Sequence, residues 1–209
     1  MTDGILVGED GVARCWWAGS APEYLAYHDR EWGFPVLDDV RLFEKLSLEG
    51  FQSGLAWITI LRKREAFRRA FAGFDFRAVA SFDQSDVARL LEDASIVRHR
   101  GKIEAVINNA GRAVELVAEC GSLAGFLWGY EPEPRAGGLR REAIEAHTVE
   151  SRALARELKR RGWRFVGPTT VYAFMQAMGL VNDHLEGCAA WVEVERARAE
   201  FTRPAVTAA

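Results

Sequence analysis

A chain of 209 residues with 49% hydrophobic and 27% charged side chains has enough apolar surface for a sizeable core, which excludes a large multidomain machine and disorder over most of the length. Its 27 Lys and Arg stand against 30 Asp and Glu, a formal net charge of −3, so no global basic field advertises a nucleic-acid or membrane partner. Three cysteines cannot build a disulfide framework, and the opening residues lack the basic start and apolar run of a signal peptide, so the expected compartment is a reducing cytoplasm.

In chain order, residues 1–14 form an N-terminal extension with no assignable role. Aromatic side chains then crowd the chain: Trp16, Trp17, Tyr24, Tyr27, Trp32, Phe34, Phe43, Phe51 and Trp57. Such rings make either an aromatic core or a stacking pocket whose π faces favour a flat, cationic ligand. Leu42, Phe43 and Leu46 recur at helical spacing, and the same segment carries Glu49 in LSLEGFQSGLAW, almost without charge around it. That carboxylate is either a surface group near a helix end or a buried acceptor for acid/base work or for the edge of a base. Phe67, Ala70, Phe71 and Phe74 continue the helical pattern, followed by Val87, Leu90 and Leu91 behind an Asp83 cap. Ile103, Val106, Ile107, Ala110, Val114 and Val117 make one stripe along a helix of about five turns, with Gly101 and Gly121 near its ends and Ser122 capping the next. Sustained strand alternation is absent, so the expected fold is all-α.

Tyr130 to Gly138 is expected to be a loop or hinge, because it packs two prolines and two glycines into nine residues. Leu154 and Leu158 then mark a basic helix, and Gly167-Pro168 opens an apolar one. This segment is either an ordinary helical hairpin with a solvated rim or a helix-hairpin-helix that offers backbone N–H groups and Lys159, Arg160, Arg161 and Arg164 to a phosphate. Basic residues also concentrate at 62–69, 96–112 and 156–164, windows with net charges of +4, +3 and +4, which would form a local patch if folding gathers them. The uncharged run 165–182 contains Gly, Pro, Thr, Gln and Asn and reads as a buried helix rather than a membrane span. His184 and Cys188 share a helical face at i, i+4, while Cys15 and His28 lie near the other chain end. The four are either metal ligands or buried small side chains with ordinary histidines. The tail from Arg196 to Ala209 is expected to fray.

These residues resemble the DNA-3-methyladenine glycosylase I family of bacterial repair enzymes. The matching stretches are CWW and YLAYHDREWGFPVLDD, then LFEKLSLEGFQSGLAWITILRKREAFRRAF, IVRHRGKIEAVINNA and LKRRGWRFVGPTTVYAFMQAMGLVNDHLEGC, in order from Cys15 to Cys188. The resemblance implies one glycosylase domain over 1–209 with a helix-hairpin-helix fold, and a structural Zn²⁺, one per chain, held by Cys15, His28, His184 and Cys188 to staple the chain ends. It also implies a base pocket with Glu49 as catalytic carboxylate and Trp17, Tyr24, Tyr27, Trp32 and Trp57 as lining. DNA contacts would come from Lys159, Arg160, Arg161, Arg164 and Gly167. The implied activity is hydrolysis of the N-glycosidic bond of a flipped-out 3-methyladenine nucleotide in double-stranded DNA, by a monomer, without strand cleavage. Asp183 ranks second to Glu49 as the group that activates water. The chain departs from the family pattern at Ala56, at Ala155-Arg156 and across 131–147, from which no site is carried over. Two other readings are a noncatalytic helix-hairpin-helix DNA-binding module and a zinc hydrolase with an open metal position.

Overall fold

The computed structural model describes residues 4–205. Strands β1 (Ile5–Val7) and β2 (Ala13–Cys15) pair antiparallel, Ile5 opposite Cys15, and lead into α1 (Pro22–Arg30). The remaining elements are α2 (Asp39–Gln52), α3 (Trp57–Ala70), α4 (Phe76–Val79), α5 (Gln84–Glu92), α6 (Arg100–Cys120), α7 (Leu123–Trp128), α8 (Val149–Arg160), α9 (Pro168–Ala177) and α10 (Ala189–Glu200). The chain is helical, as its periodicity requires. None of the helices among the described residues is long and apolar enough to cross a membrane.

Helix α2 is the axis of the molecule. Asp38 caps it by accepting from the Arg41 N–H, and every residue from Leu42 to Phe51 is buried. A helix covered on all sides must pair whatever charge it carries. Glu44 meets Arg68 of α3 at 2.8 Å, and Lys45 meets Glu49 at 2.7 Å. Helix α6 buries Ile103, Val106 and Ala110 of the expected stripe, but its buried face then runs through Ala113, Leu116 and Cys120, leaving Val114 exposed and Ile107 and Val117 half-buried; it closes at Gly121, whose φ of 81° suits only glycine well. Asp83 and Ser122 cap α5 and α7 as their positions predict.

Helices α8 and α9 pack closely as a helix-hairpin-helix. Asn109 of α6 grips the intervening turn, donating to the Arg164 carbonyl at 2.9 Å and accepting from its N–H at 2.8 Å. The turn lies against α2 at Gly50, where a Cβ would meet the Phe165 Cβ at 3.4 Å, an ordinary contact.

Three further expectations are corrected. The helical stripe expected to reach Phe74 stops at Ala70, because Ala72, Gly73 and Phe74 turn through positive φ. Phe71 and Phe74 are nonetheless fully buried and stacked 5.5 Å apart. The two short strands were not expected, since three residues are too few to show alternation. The segment expected to be a loop or hinge, Tyr130 to Gly138, has neither helix nor strand, and a parallel bridge between Leu139 and Leu185 follows it. The tail does not fray from Arg196: α10 continues to Glu200, and Arg198 and Arg203 both reach Glu131 at 2.9 Å. Residues 206–209 of that expectation lie outside the described residues.

Candidate functional site

Folding α1 across α2 and α9 leaves a cavity of about 310 Å³. Trp17, Tyr24, Tyr27, Trp32 and Trp57 all line it, with Glu49 in the wall. The rings meet edge to face: Trp17 lies 5.2 Å from Trp32 at 79° and 5.6 Å from Tyr24 at 84°. Burial raises the phenol of Tyr24, and burial together with the charge of Glu49 raises that of Tyr27 further, so both remain hydroxyl donors. Glu49 is 5% exposed and also borders an adjoining cavity of about 290 Å³, formed with Ser53 and Leu55 and with Thr169 and Thr170 of α9's first turn. The carboxylate thus stands between an aromatic chamber and a polar recess at a helix N-terminus.

Sequence reasoning missed Lys45, which is buried one turn before Glu49. Its ammonium pairs with the carboxylate at 2.7 Å, donates to the Tyr27 hydroxyl at 2.7 Å and lies 3.4 Å from the centre of the Trp57 ring. Burial lowers its pKa below the usual lysine value, against the pull of Glu49. The i, i+4 spacing was visible in the sequence, but it is equally that of an exposed helix pair. Gln52, Ala173 and Gln176 also line the cavity without having been singled out. Leu55 sits 41% exposed beside the recess, in a turn that Gly54 makes at φ +80°.

Asp183 does not face the cavity as a base. Arg135 holds one of its oxygens at 3.1 Å, and the Tyr172 hydroxyl and the Gln176 amide take the other. It fixes Gln176 in the wall instead.

Cys15, His28, His184 and Cys188 converge with their ligand atoms within 4.8 Å of one another, all buried. The Cys188 sulfur lies 3.4 Å from His28 Nε2 and 3.5 Å from His184 Nδ1, and the Cys15 sulfur 3.8 Å from the latter. A tetrahedral zinc bound at ordinary lengths sets sulfur and nitrogen about 3.6 Å apart, so this group could hold a metal ion. The outer nitrogens are held too, His28 Nδ1 by Asp29 at 2.8 Å and His184 Nε2 by the Trp32 carbonyl at 3.1 Å. Asp29 is gripped in turn by Arg14, which also binds Asp10. The extension, which carried no role in the sequence, therefore braces His28 through Asp29. A hydrogen bond between the two free thiols, with burial, raises the Cys15 thiol, while the same hydrogen bond and those from His184 and His28 lower that of Cys188.

The basic windows are largely consumed within the protein. Arg62, Arg64 and Arg68 pair with Glu23, Glu31 and Glu44. Arg160 binds Glu157, and the half-buried Arg161 bridges Glu157 and Glu119. Lys159 and Arg164 are exposed, and Gly167 is the N-cap of α9.

Residues 17–191 match the methyladenine glycosylase family. The chain is 46% identical over 180 residues to the DNA-3-methyladenine glycosylase 1 of Escherichia coli (strain K12), covering 85% of this chain and 96% of that protein. Its fold is similar to the crystal structure of a 3-methyladenine DNA glycosylase I, with a TM-score of 0.79 at 47% identity, covering 84% of this chain and 98% of that one. It is also similar to a structure that describes 3-methyladenine recognition by the glycosylase I of Staphylococcus aureus, with a TM-score of 0.78 at 36% identity over 83% of this chain and 94% of that one.

Proposed function

We infer the reaction from one premise: this chain belongs to the methyladenine glycosylase family, and it is a DNA glycosylase that releases 3-methyladenine from alkylated DNA in base excision repair. Methylation at N3 makes the base cationic, so it leaves as a neutral molecule and needs little proton help. Selecting the base is therefore the demanding step. The flipped-out base enters the aromatic cavity, where ring faces and the Glu49 carboxylate favour its charge. Its sugar lies toward the recess at α9, where Glu49 stabilises the oxocarbenium-like transition state and orients the water that attacks C1′.

One observation carries this reading: a carboxylate 5% exposed opens both on five aromatic rings and on a helix N-terminus. A noncatalytic DNA-binding module has no use for that arrangement. The lysine beside Glu49 supports hydrolysis without strand cleavage, because its ammonium is committed to Glu49, Tyr27 and Trp57 and does not line the cavity.

DNA runs along the hairpin, where Lys159, Arg164 and the N–H groups behind Gly167 meet phosphates, with Arg160 at the rim. Arg161 has a structural part. Leu55 is the apolar side chain placed to fill the gap that the flipped base leaves. The protein works as a monomer. Zn²⁺ is the metal that suits two sulfurs and two imidazoles; it would supply a structural cross-link, and four protein ligands leave no open position for a hydrolytic water.

The test is Glu49→Gln, which preserves shape. Release of free 3-methyladenine from methylated duplex DNA, followed by chromatography, should fall about 100-fold or more with an unchanged circular dichroism spectrum. Undiminished release would overturn the pocket assignment.

A further inference from the structure

Helix α2 ends at the turn that carries Leu55, and this turn has little packing of its own, since residues 53–56 are all exposed. Its own bonds are local, from the Ser53 N–H to the Gly50 carbonyl at 3.3 Å and from the Leu55 N–H to the Gln52 carbonyl at 2.6 Å. The hydrogen bonds that reach it from elsewhere among the described residues come from one side chain, Lys102 in the first turn of α6. The Lys102 ammonium donates to the Phe51 carbonyl at 2.9 Å and to the Ser53 carbonyl at 2.6 Å, closing the α2 C-terminus, where the helix dipole favours a cation. Lys102 is 7% exposed and, among the described residues, pairs with no carboxylate; burial lowers its pKa. An apolar side chain would fill that space at less cost in lost hydration, so packing alone does not account for the charge. Seven residues on, the same face of α6 presents Asn109, which holds the Arg164 backbone of the hairpin. One helix thus grips both the Leu55 turn and the hairpin, at points about 10 Å apart along its axis.

We propose that Lys102 is a positioning residue for base flipping, which acts by holding the Leu55 turn rigid at a fixed distance from the phosphate-binding hairpin. The proposal rests on the reading of Leu55 as the side chain that fills the gap left by the flipped base. Entering a base stack means breaking its contacts, and a wedge on a pliant turn yields before the stack does. A wedge tied to the element that grips the phosphates instead converts backbone affinity into strain at the lesion. Lys102 lines neither the aromatic cavity nor the adjoining recess, so its loss leaves the walls of both in place.

The experiment is a double-mutant cycle on the full chain. Release of 3-methyladenine from methylated duplex DNA is followed in single turnovers with enzyme in excess, for wild type, Lys102→Met, Leu55→Ala and the double variant. Calorimetry with free 3-methyladenine reads the cavity alone. Lys102→Met should slow release about tenfold while free base binds within about threefold of wild type. In the Leu55→Ala background the same substitution should cost less than about twofold, because no wedge is left to position. Equal costs in the two backgrounds, or a loss of free-base binding that matches the loss of release, would mark a lysine that serves only the fold and would overturn the proposal. So would undiminished release by Lys102→Met. Lys102→Gln, whose amide keeps a donor without the charge, should fall between the two and carries the same cycle if Lys102→Met does not fold; failure of both to fold would make the lysine structural and is equally fatal. Unchanged release by Leu55→Ala itself would instead remove the wedge reading, and this inference with it.

Discussion

A carboxylate as deeply buried as Glu49 persists because an ammonium and an aromatic frame replace the water it lost. The same logic governs Glu31, at the edge of the site. Burial pushes its carboxyl upward, but bonds from Arg64 and the charges of Arg41 and Lys45 bring it below its ordinary value of 4.5. A carboxyl whose folded value is depressed contributes stability that is fully present above its unfolded value and is lost as pH falls through the folded one. The urea midpoint of Glu31→Gln should therefore trail wild type at pH 7, and the gap should close as pH drops below about 4.5. A gap that is constant down to pH 3 would mean that the ion pair adds nothing. At this scale the sequence was half legible. The aromatic cluster and Glu49 stood out because charge is scarce around them. Lys45, Gln52 and Gln176 did not, because a long polar side chain on a helix has the same spacing whether it faces water or a cavity.

Helix starts were the best-read features, since Asp83, Ser122 and Pro168 carry their own chemistry for starting a helix. Where a helix stopped was harder to see. Phe71 and Phe74 keep the helical spacing of their neighbours while the backbone turns beneath them, and only the tertiary core explains it. The hairpin between α8 and α9 shows what an element needs beyond its own sequence. Phe165 sits at φ 55°, a left-handed conformation costing on the order of 1 kcal/mol or more. The Asn109 amide holds the adjacent Arg164 backbone from both sides. Asn109→Ala would remove both of these hydrogen bonds to the partly buried Arg164 backbone, so urea unfolding should show a loss of about 2 kcal/mol. Duplex binding, read by fluorescence anisotropy at fixed salt, should weaken severalfold as the phosphate-facing turn loosens. Full stability in this variant would show that α6 does not pin the hairpin. The charge windows mislead at this same scale, for most of their arginines find glutamates on their own or a neighbouring element.

Across the whole molecule, the four candidate metal ligands bring residues 169 positions apart into contact. Closing so long a loop constrains the unfolded chain strongly, and the bound ion adds its own affinity to the folded state. Cys15→Ala should leave the purified protein almost free of zinc by mass spectrometry and lower its unfolding free energy by at least about 3 kcal/mol. Retained zinc at full stoichiometry would refute the ligand set. Both ends of the site were visible as sequence spacings, but spacing left open whether they meet; only the family resemblance implied that they do. Nor did it foretell that Asp10 and Arg14 would buttress the histidine.

His28 shares α1 with Tyr24 and Tyr27, and His184 holds the backbone of Trp32, so the segments that the buried cysteines and histidines bring together are also the outer wall of the aromatic chamber. Damage to either thiol would therefore reach the rings of the chamber as well as the packing of the fold.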